Sequence, residues 1–320
     1  MSLSVDLERS GSSARRYFED AFPDRRSVKR RVREKAQETE PIRPARAVPW
    51  GTIGTAFDYR CRFYFAAAAV PRGSLPFAGA ERPFLGGAHS FALPFELRRL
   101  LEFDFKPHVA EVLRHSPPWG VRLGRRHEDV LCRLCYVLAL LDAVARTSGP
   151  GIWNRLPTDD PPESARTAPA PFDQLPESSS VGDLLDLAGH ESVDDLRQLS
   201  WLFFDSQQAL LTGQAVLNPH FAGSADVGGA DADLIVDGCL IELKTVSDAG
   251  RISPKAWPWQ LLGYVLLDYD NVYELSSVGI YLARHGLLMQ WSLEEYFELL
   301  GARTCSVAEA RVGLRRALSA

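Results

Sequence analysis

The feature that most constrains this chain is the dipeptide Asp237-Gly238, set between two β-prone runs at 230–236 and 239–246. An Asp-Gly pair in that setting is a strong hairpin signal, because the favoured two-residue turn needs positive φ at both central positions. Such a turn fixes the register of the strands it joins. Val236 is then opposite Cys239, Ile235 opposite Leu240, Leu234 opposite Ile241, Asp233 opposite Glu242, and Asp231 opposite Lys244. Opposed and alternate residues share a face of a sheet. Asp231, Asp233, Glu242 and Lys244 therefore fall on one face, with Leu234, Ile241 and Leu243 pointing the other way into a core.

Two opposed carboxylates repel unless positive charge lies between them. A hard divalent cation supplies it, and oxygen donors suit Mg²⁺ or Mn²⁺. Lys244, beside such an ion, would hold a water or stabilise charge developing on a phosphate. The competing reading is a salt-bridged strand face, since alternating apolar and charged residues are ordinary in a half-solvated antiparallel sheet. Further on, Gln260 and Tyr264 stand at i and i+4 of a helical segment and so share one helix face.

The flanking sequence sets the architecture. The chain has 320 residues, with 46% hydrophobic and 24% charged, proportions that allow a sizeable buried core. Its net charge of −5 makes the whole molecule no general polyanion binder, so any nucleic-acid surface must be local. Residues 9–35 are dense in Arg and Lys and read as a basic, solvated or partly disordered arm over 1–40, in which 27–38 could form an exposed helix, or as an arm that touches phosphates. Residues 41–147 read as mainly helical, and 148–182, rich in Pro, Ser and acids, as a linker or insertion. Residues 183–320 alternate in the order helix, three strands, helix, two strands, helix. In that stretch Ser192 is a plausible N-cap for the first helix, and Ser292 with Glu295 forms a capping box for the last. The N-terminus shows no signal peptide and no segment long enough to span a membrane, which leads us to expect a cytoplasmic protein without a membrane partner.

Asp233, Glu242-Leu-Lys244 and Gln260-Leu-Leu-Gly-Tyr264 resemble the ordered motifs of the PD-(D/E)XK nuclease superfamily, in particular its RecB-like exonuclease branch. The resemblance spans roughly residues 192–291. It implies an α/β fold with a restriction-endonuclease-like core, a mixed β-sheet flanked by helices, here preceded by a helical N-terminal region. It implies a Mg²⁺-dependent (or Mn²⁺-dependent) nuclease acting on nucleic acid, DNA ahead of RNA. The metal would rest on Asp233, Glu242 and the backbone carbonyl of Leu243, and Lys244 would activate water. Gln260 and Tyr264 would line the site. Asp231 is the alternative first acid, and Asp205 the nearest match to an acid on the preceding helix. A rival reading is a catalytically inactive nuclease fold that binds nucleic acid or protein.

Other motifs carry less. Cys132 and Cys135 form a C-x-x-C on an apolar helix without a second pair, so they read as core thiols rather than cluster or zinc ligands. Trp257 and Trp259 read as packing before base stacking, Asp58 and Arg60 as an internal ion pair, and Gly228-Gly229 as a bend.

Overall fold

The computed structural model describes residues 2–44, 46–69, 95–115, 121–147, 172–176, 178–303 and 306–319. The strands β1 (Ala215–Leu217), β2 (Leu234–Val236), β3 (Cys239–Lys244), β4 (Ser277–Leu282) and β5 (Leu287–Ser292) form one mixed sheet in the order β1-β2-β3-β4-β5. Neighbours are antiparallel except β3 and β4, which are parallel. Among the described residues the α-helices before the sheet are α1 (Leu3–Glu8), α2 (Ser13–Ala21), α3 (Arg25–Ala36), α4 (Trp50–Ala69), α5 (Phe95–Leu100), α6 (Lys106–His115), α7 (Arg125–Thr147), α8 (Val181–Asp186) and α9 (His190–Ser206). Within or after it come α10 (Trp257–Leu267), α11 (Leu293–Leu299) and α12 (Val307–Ser319). The chain is α/β, with a five-stranded mixed sheet and flanking helices.

The hairpin forms in the register that its turn dictates. Val236 pairs with Cys239, Ile235 with Leu240, and Leu234 with Ile241. Asp237 and Gly238 have φ of 47° and 73°, the two positive values that the tight turn requires. A parallel β3–β4 pair cannot be closed by a tight turn, and α10 lies in the crossover between them. After β4, Gly286 at φ 60° turns the chain into β5, and Ser292 with Glu295 closes the capping box on α11.

The chain divides into two compact units, and the division differs from the one read in the sequence. One unit joins Met1–Arg43 to Asp205–Ala320, and the other holds Pro44–Phe204. The basic stretch expected as a solvated arm is three helices of the first unit. Their apolar residues recur at helical spacing (Leu3 and Leu7; Ala14, Phe18 and Phe22; Val28, Val32 and Ala36) and belong to the core that also holds α10. Phe18 lies stacked with Trp259, whose indole N–H donates to the carbonyl of Phe22 at 2.8 Å. Both Trp257 and Trp259 are buried, so they pack in this core and offer no face to bases. The helix for which Ser192 was expected as N-cap begins at His190, with Ser192 buried inside it, and ends at Ser206.

The second unit is helical among its described residues. Its interior holds Arg60, whose guanidinium makes two hydrogen bonds to Glu128 at 2.6 and 2.9 Å and lies 3.7 Å from the Tyr64 ring centre. Asp58 pairs with Arg62 instead of Arg60, because residues four apart share a helix face and residues two apart do not. Cys132 and Cys135 are buried in α7, where burial raises both thiols above their usual range. Of the expected linker, 148–171 and 177 lie outside the described residues; 181 and 182 open α8. Among the described residues no helix is long and apolar enough to cross a membrane.

Packing of this kind has measurable stability outcomes. Phe22→Ala empties a fully buried site and is expected to cost about 3–5 kcal/mol in urea unfolding; an unchanged midpoint would detach residues 1–43 from the core. Glu128→Ala strands the Arg60 cation and should cost about 3–5 kcal/mol, whereas an exposed control such as Arg303→Ala should stay within about 0.5 kcal/mol.

Candidate active site at the end of the hairpin

β3 is buried along nearly its whole length, and its alternate residues Leu240, Glu242 and Lys244 share one face. That face is the one on which α10 packs, because Leu240, Ile235, Val278, Ile280 and Leu282 belong to the same core as Leu261, Leu262 and Val265. The sequence reading put the core only on the opposite face. The structure instead runs core and charged residues along one face, apolar at the turn and ionisable two residues further on. Leu234, Ile241 and Leu243 do point the other way, and they are buried there as well.

The β2–β3 ladder ends at Leu234–Ile241. Continued for two more residues, it would have supplied a backbone acceptor for the N–H of Leu243. The chain peels away instead, and the Asp233 carboxylate takes that N–H at 2.7 Å. Asp233 is thereby fixed against the Glu242–Leu243 stretch through its side chain, where strict pairing opposite Glu242 was expected. Asp231 departs further: its backbone makes an isolated antiparallel bridge to His220, not a pairing with Lys244.

Glu242 is only 7% exposed, and its Oε1 accepts a 2.7 Å hydrogen bond from Lys244 Nζ. Its Oε2 is buried with no hydrogen-bond partner among the described residues. On α10, Gln260 Nε2 donates to the Tyr264 hydroxyl at 2.8 Å, so the i, i+4 pair does share a face and touch. Gln260 Oε1 is likewise buried without a partner among the described residues. Burial raises the Tyr264 hydroxyl well above the usual phenol range, and the nearby charges of Glu242, Asp233 and Asp231 add to that shift. Asp231, Asp233 and Glu242 thus all act electrostatically on one phenol, and each favours its protonated form. Asp205 is exposed at the end of α9, and its neighbour Ser206 meets the hydroxyl of Tyr281, which is paired with Leu243 on the face away from Glu242.

The helix α1, not distinguished in the sequence from the charged run around it, also reaches α10. Gln260 Nε2 also donates to Ser4 Oγ at 2.6 Å, and the N–H of Ala256, at the start of α10, donates to Glu8 Oε1 at 2.7 Å. Ser4 and Glu8 are four apart, as are Leu3 and Leu7. The signal was present, in a helix of six residues too short to stand out from the charged run around it. Leu3 can lie so close because Gly263 has no side chain: a Cβ there would sit 2.8 Å from the Leu3 methyl.

The donor set fits a hard cation. A buried carboxylate oxygen without a partner is costly, by about 1–3 kcal/mol or more for a charged group, and a metal ion would satisfy it. Among the described residues no group of three or more His, Cys, Asp or Glu side chains is placed to hold a metal. A pair of carboxylates suffices for Mg²⁺, which commonly keeps several waters and takes one or two acids from the protein.

Saturating Mg²⁺ or Mn²⁺, at about 100 times its dissociation constant, should stabilise the first unit by about 2.7 kcal/mol, and Glu242→Ala should lose that gain. An equal shift in wild type and variant would place the ion elsewhere. No protein-family model, curated protein or solved structure matches this chain.

Proposed function

We propose that this protein is a metal-dependent phosphodiesterase acting on nucleic acid, DNA in the first place, with a restriction-endonuclease-like core of the PD-(D/E)XK type. The observation that carries the reading is the buried, half-satisfied Glu242, with Lys244 on one oxygen and the Asp233 carboxylate anchored to the next backbone N–H. A purely structural ion pair gains most when every oxygen of the buried carboxylate is satisfied. Here one oxygen is left over, in a cluster with a second acid and a lysine.

In this reading Glu242, Asp233 and the Leu243 carbonyl hold Mg²⁺ or Mn²⁺. When bound, the ion supplies Lewis acidity and lowers the pKa of a coordinated water. The protein's own groups do the positioning. Lys244, held beside Glu242, brings positive charge to a phosphate oxygen and orients water. Gln260 offers Oε1 as an acceptor while both of its N–H bonds are held by Ser4 and Tyr264. Tyr264 remains a neutral hydroxyl and fixes Gln260 without adding negative charge.

A second reading, a binding module that keeps this fold without cleavage, is favoured by the short Lys244–Glu242 contact, which partly satisfies the acid without metal. A cleavage panel of labelled single-stranded DNA, duplex DNA and RNA with Mg²⁺ or Mn²⁺ separates the two. Glu242→Ala and Lys244→Ala should each lower the rate by about 10²–10³ or more while leaving the fold intact. Cleavage at the same rate by wild type and both variants would discard the mechanism, and no cleavage by wild type would favour the binding module.

A further inference from the structure

The helix α3 has the sequence RRSVKRRVREKA, with seven basic residues and one acidic residue among its twelve. The chain as a whole carries a net charge of −5, so this is a local concentration of positive charge against the general balance. Val28, Val32 and Ala36 face the core, which leaves the basic side chains on the remaining surface. One row of them, Arg25, Lys29 and Arg33, has i, i+4, i+8 spacing and runs along the side of α3 that meets α10 and the turn Ala249–Arg251. The Arg25 guanidinium lies 4.3 Å from the ring centre of Trp259, the residue before Gln260. The Arg33 guanidinium lies beside Gly250, in the segment that follows β3.

The row is not neutralised by its neighbours. Lys29 is pushed below the usual lysine range by partial burial and then by the positive charges of Arg25, Lys255 and Arg33, against one acid, Glu8. Glu8 is already engaged by the Ala256 N–H, and the other acid nearby, Asp248, accepts from the Gly250 N–H and pairs with Arg251. Arg33 and Lys255 form no ion pair with a described residue. Like charges held together in this way repel one another and bind an anion readily.

We infer that Arg25, Lys29, Arg33 and Lys255 form a phosphate-binding track that guides a nucleic-acid backbone to the site at Glu242 and Lys244. This rests on the phosphodiesterase reading for its destination, while the track itself is a binding surface that can be tested without cleavage. A nucleic acid fits better than an anionic membrane. The apolar residues of α3 are all turned inward, so the helix has none to insert into lipid, and the row borders the helix that carries Gln260 and Tyr264.

The test is fluorescence anisotropy of labelled single-stranded and duplex oligonucleotides on the full chain in EDTA, over a salt series. The triple variant Lys29→Gln, Arg33→Gln, Lys255→Gln should bind on the order of tenfold more weakly or worse, and the slope of log K against log salt should become shallower by about 0.9 for each duplex phosphate that is no longer neutralised. A control that removes three exposed charges elsewhere (Arg46→Gln, Arg125→Gln, Arg303→Gln) should keep wild-type affinity and slope. Glu242→Ala, which removes a negative charge from the site, should bind at least as tightly as wild type, so abolished cleavage with retained binding indicts the site and spares the track. Equal weakening in the triple variant and the control, wild-type binding by the triple variant, or no oligonucleotide binding by wild type would each overturn the track. So would binding to phosphatidylserine vesicles without binding to oligonucleotides.

Discussion

The two-residue bend at Asp237-Gly238 is the constraint on which the rest depends. With both residues at positive φ, the strands leave the turn in a single register, and a slip of one residue would move Glu242 to the opposite face. That register places Leu240, Glu242 and Lys244 in line on the face that α10 covers. It also sets Asp233 where its carboxylate can replace the ladder acceptor that β2 no longer supplies to Leu243. A turn of a different length would leave the same residues in the chain and dissolve their association.

Much of the architecture was legible because it rests on short-range chemistry. The hairpin could be read from two residues, the capping box from Ser292 and Glu295, and the sharing of a helix face by Gln260 and Tyr264 from their spacing. The order of strands and helices from residue 190 to Leu299 followed from periodicity together with turn and cap signals, whereas the last helix, Val307–Ser319, was not read. What escaped was long-range. In α3 the charged residues outnumber the three inward ones, so composition suggested solvent while the Val28–Val32–Ala36 stripe specified burial. Ser4 and Glu8 lie about 250 residues from their partners on α10, and no local pattern announces such a contact. The peeling of the chain on the N-terminal side of Leu234 was also invisible, since alternation in the sequence extends back to Asp231 although the ladder does not.

Embedding ionisable groups in line with a core has energetic consequences. Each group is shielded from water on the side that packs, which strengthens the attraction between Lys244 and Glu242 and also the repulsion between neighbouring acids. Burial first, and then the neighbouring acids, raises the Tyr264 hydroxyl above the usual phenol range. The apolar residues on the same face hold the cluster rigid, because Glu242 is anchored two residues from the fully buried Leu240 and Tyr264 sits in a helix buried along its entire length. A site set this way depends little on flexible loops for its geometry.

The joining of Met1–Arg43 to Asp205–Ala320 makes the cluster a product of both ends of the chain. A fragment comprising only 205–320 would keep both acids and the lysine of the motif, yet it would lack the hydroxyl of Ser4 that holds Gln260, the carboxylate of Glu8 at the start of α10 and the carbonyl that anchors the indole of Trp259. The motif-bearing segment is therefore not portable: transplanted alone, it would carry the two acids and the lysine without the contacts that hold α10 beside them.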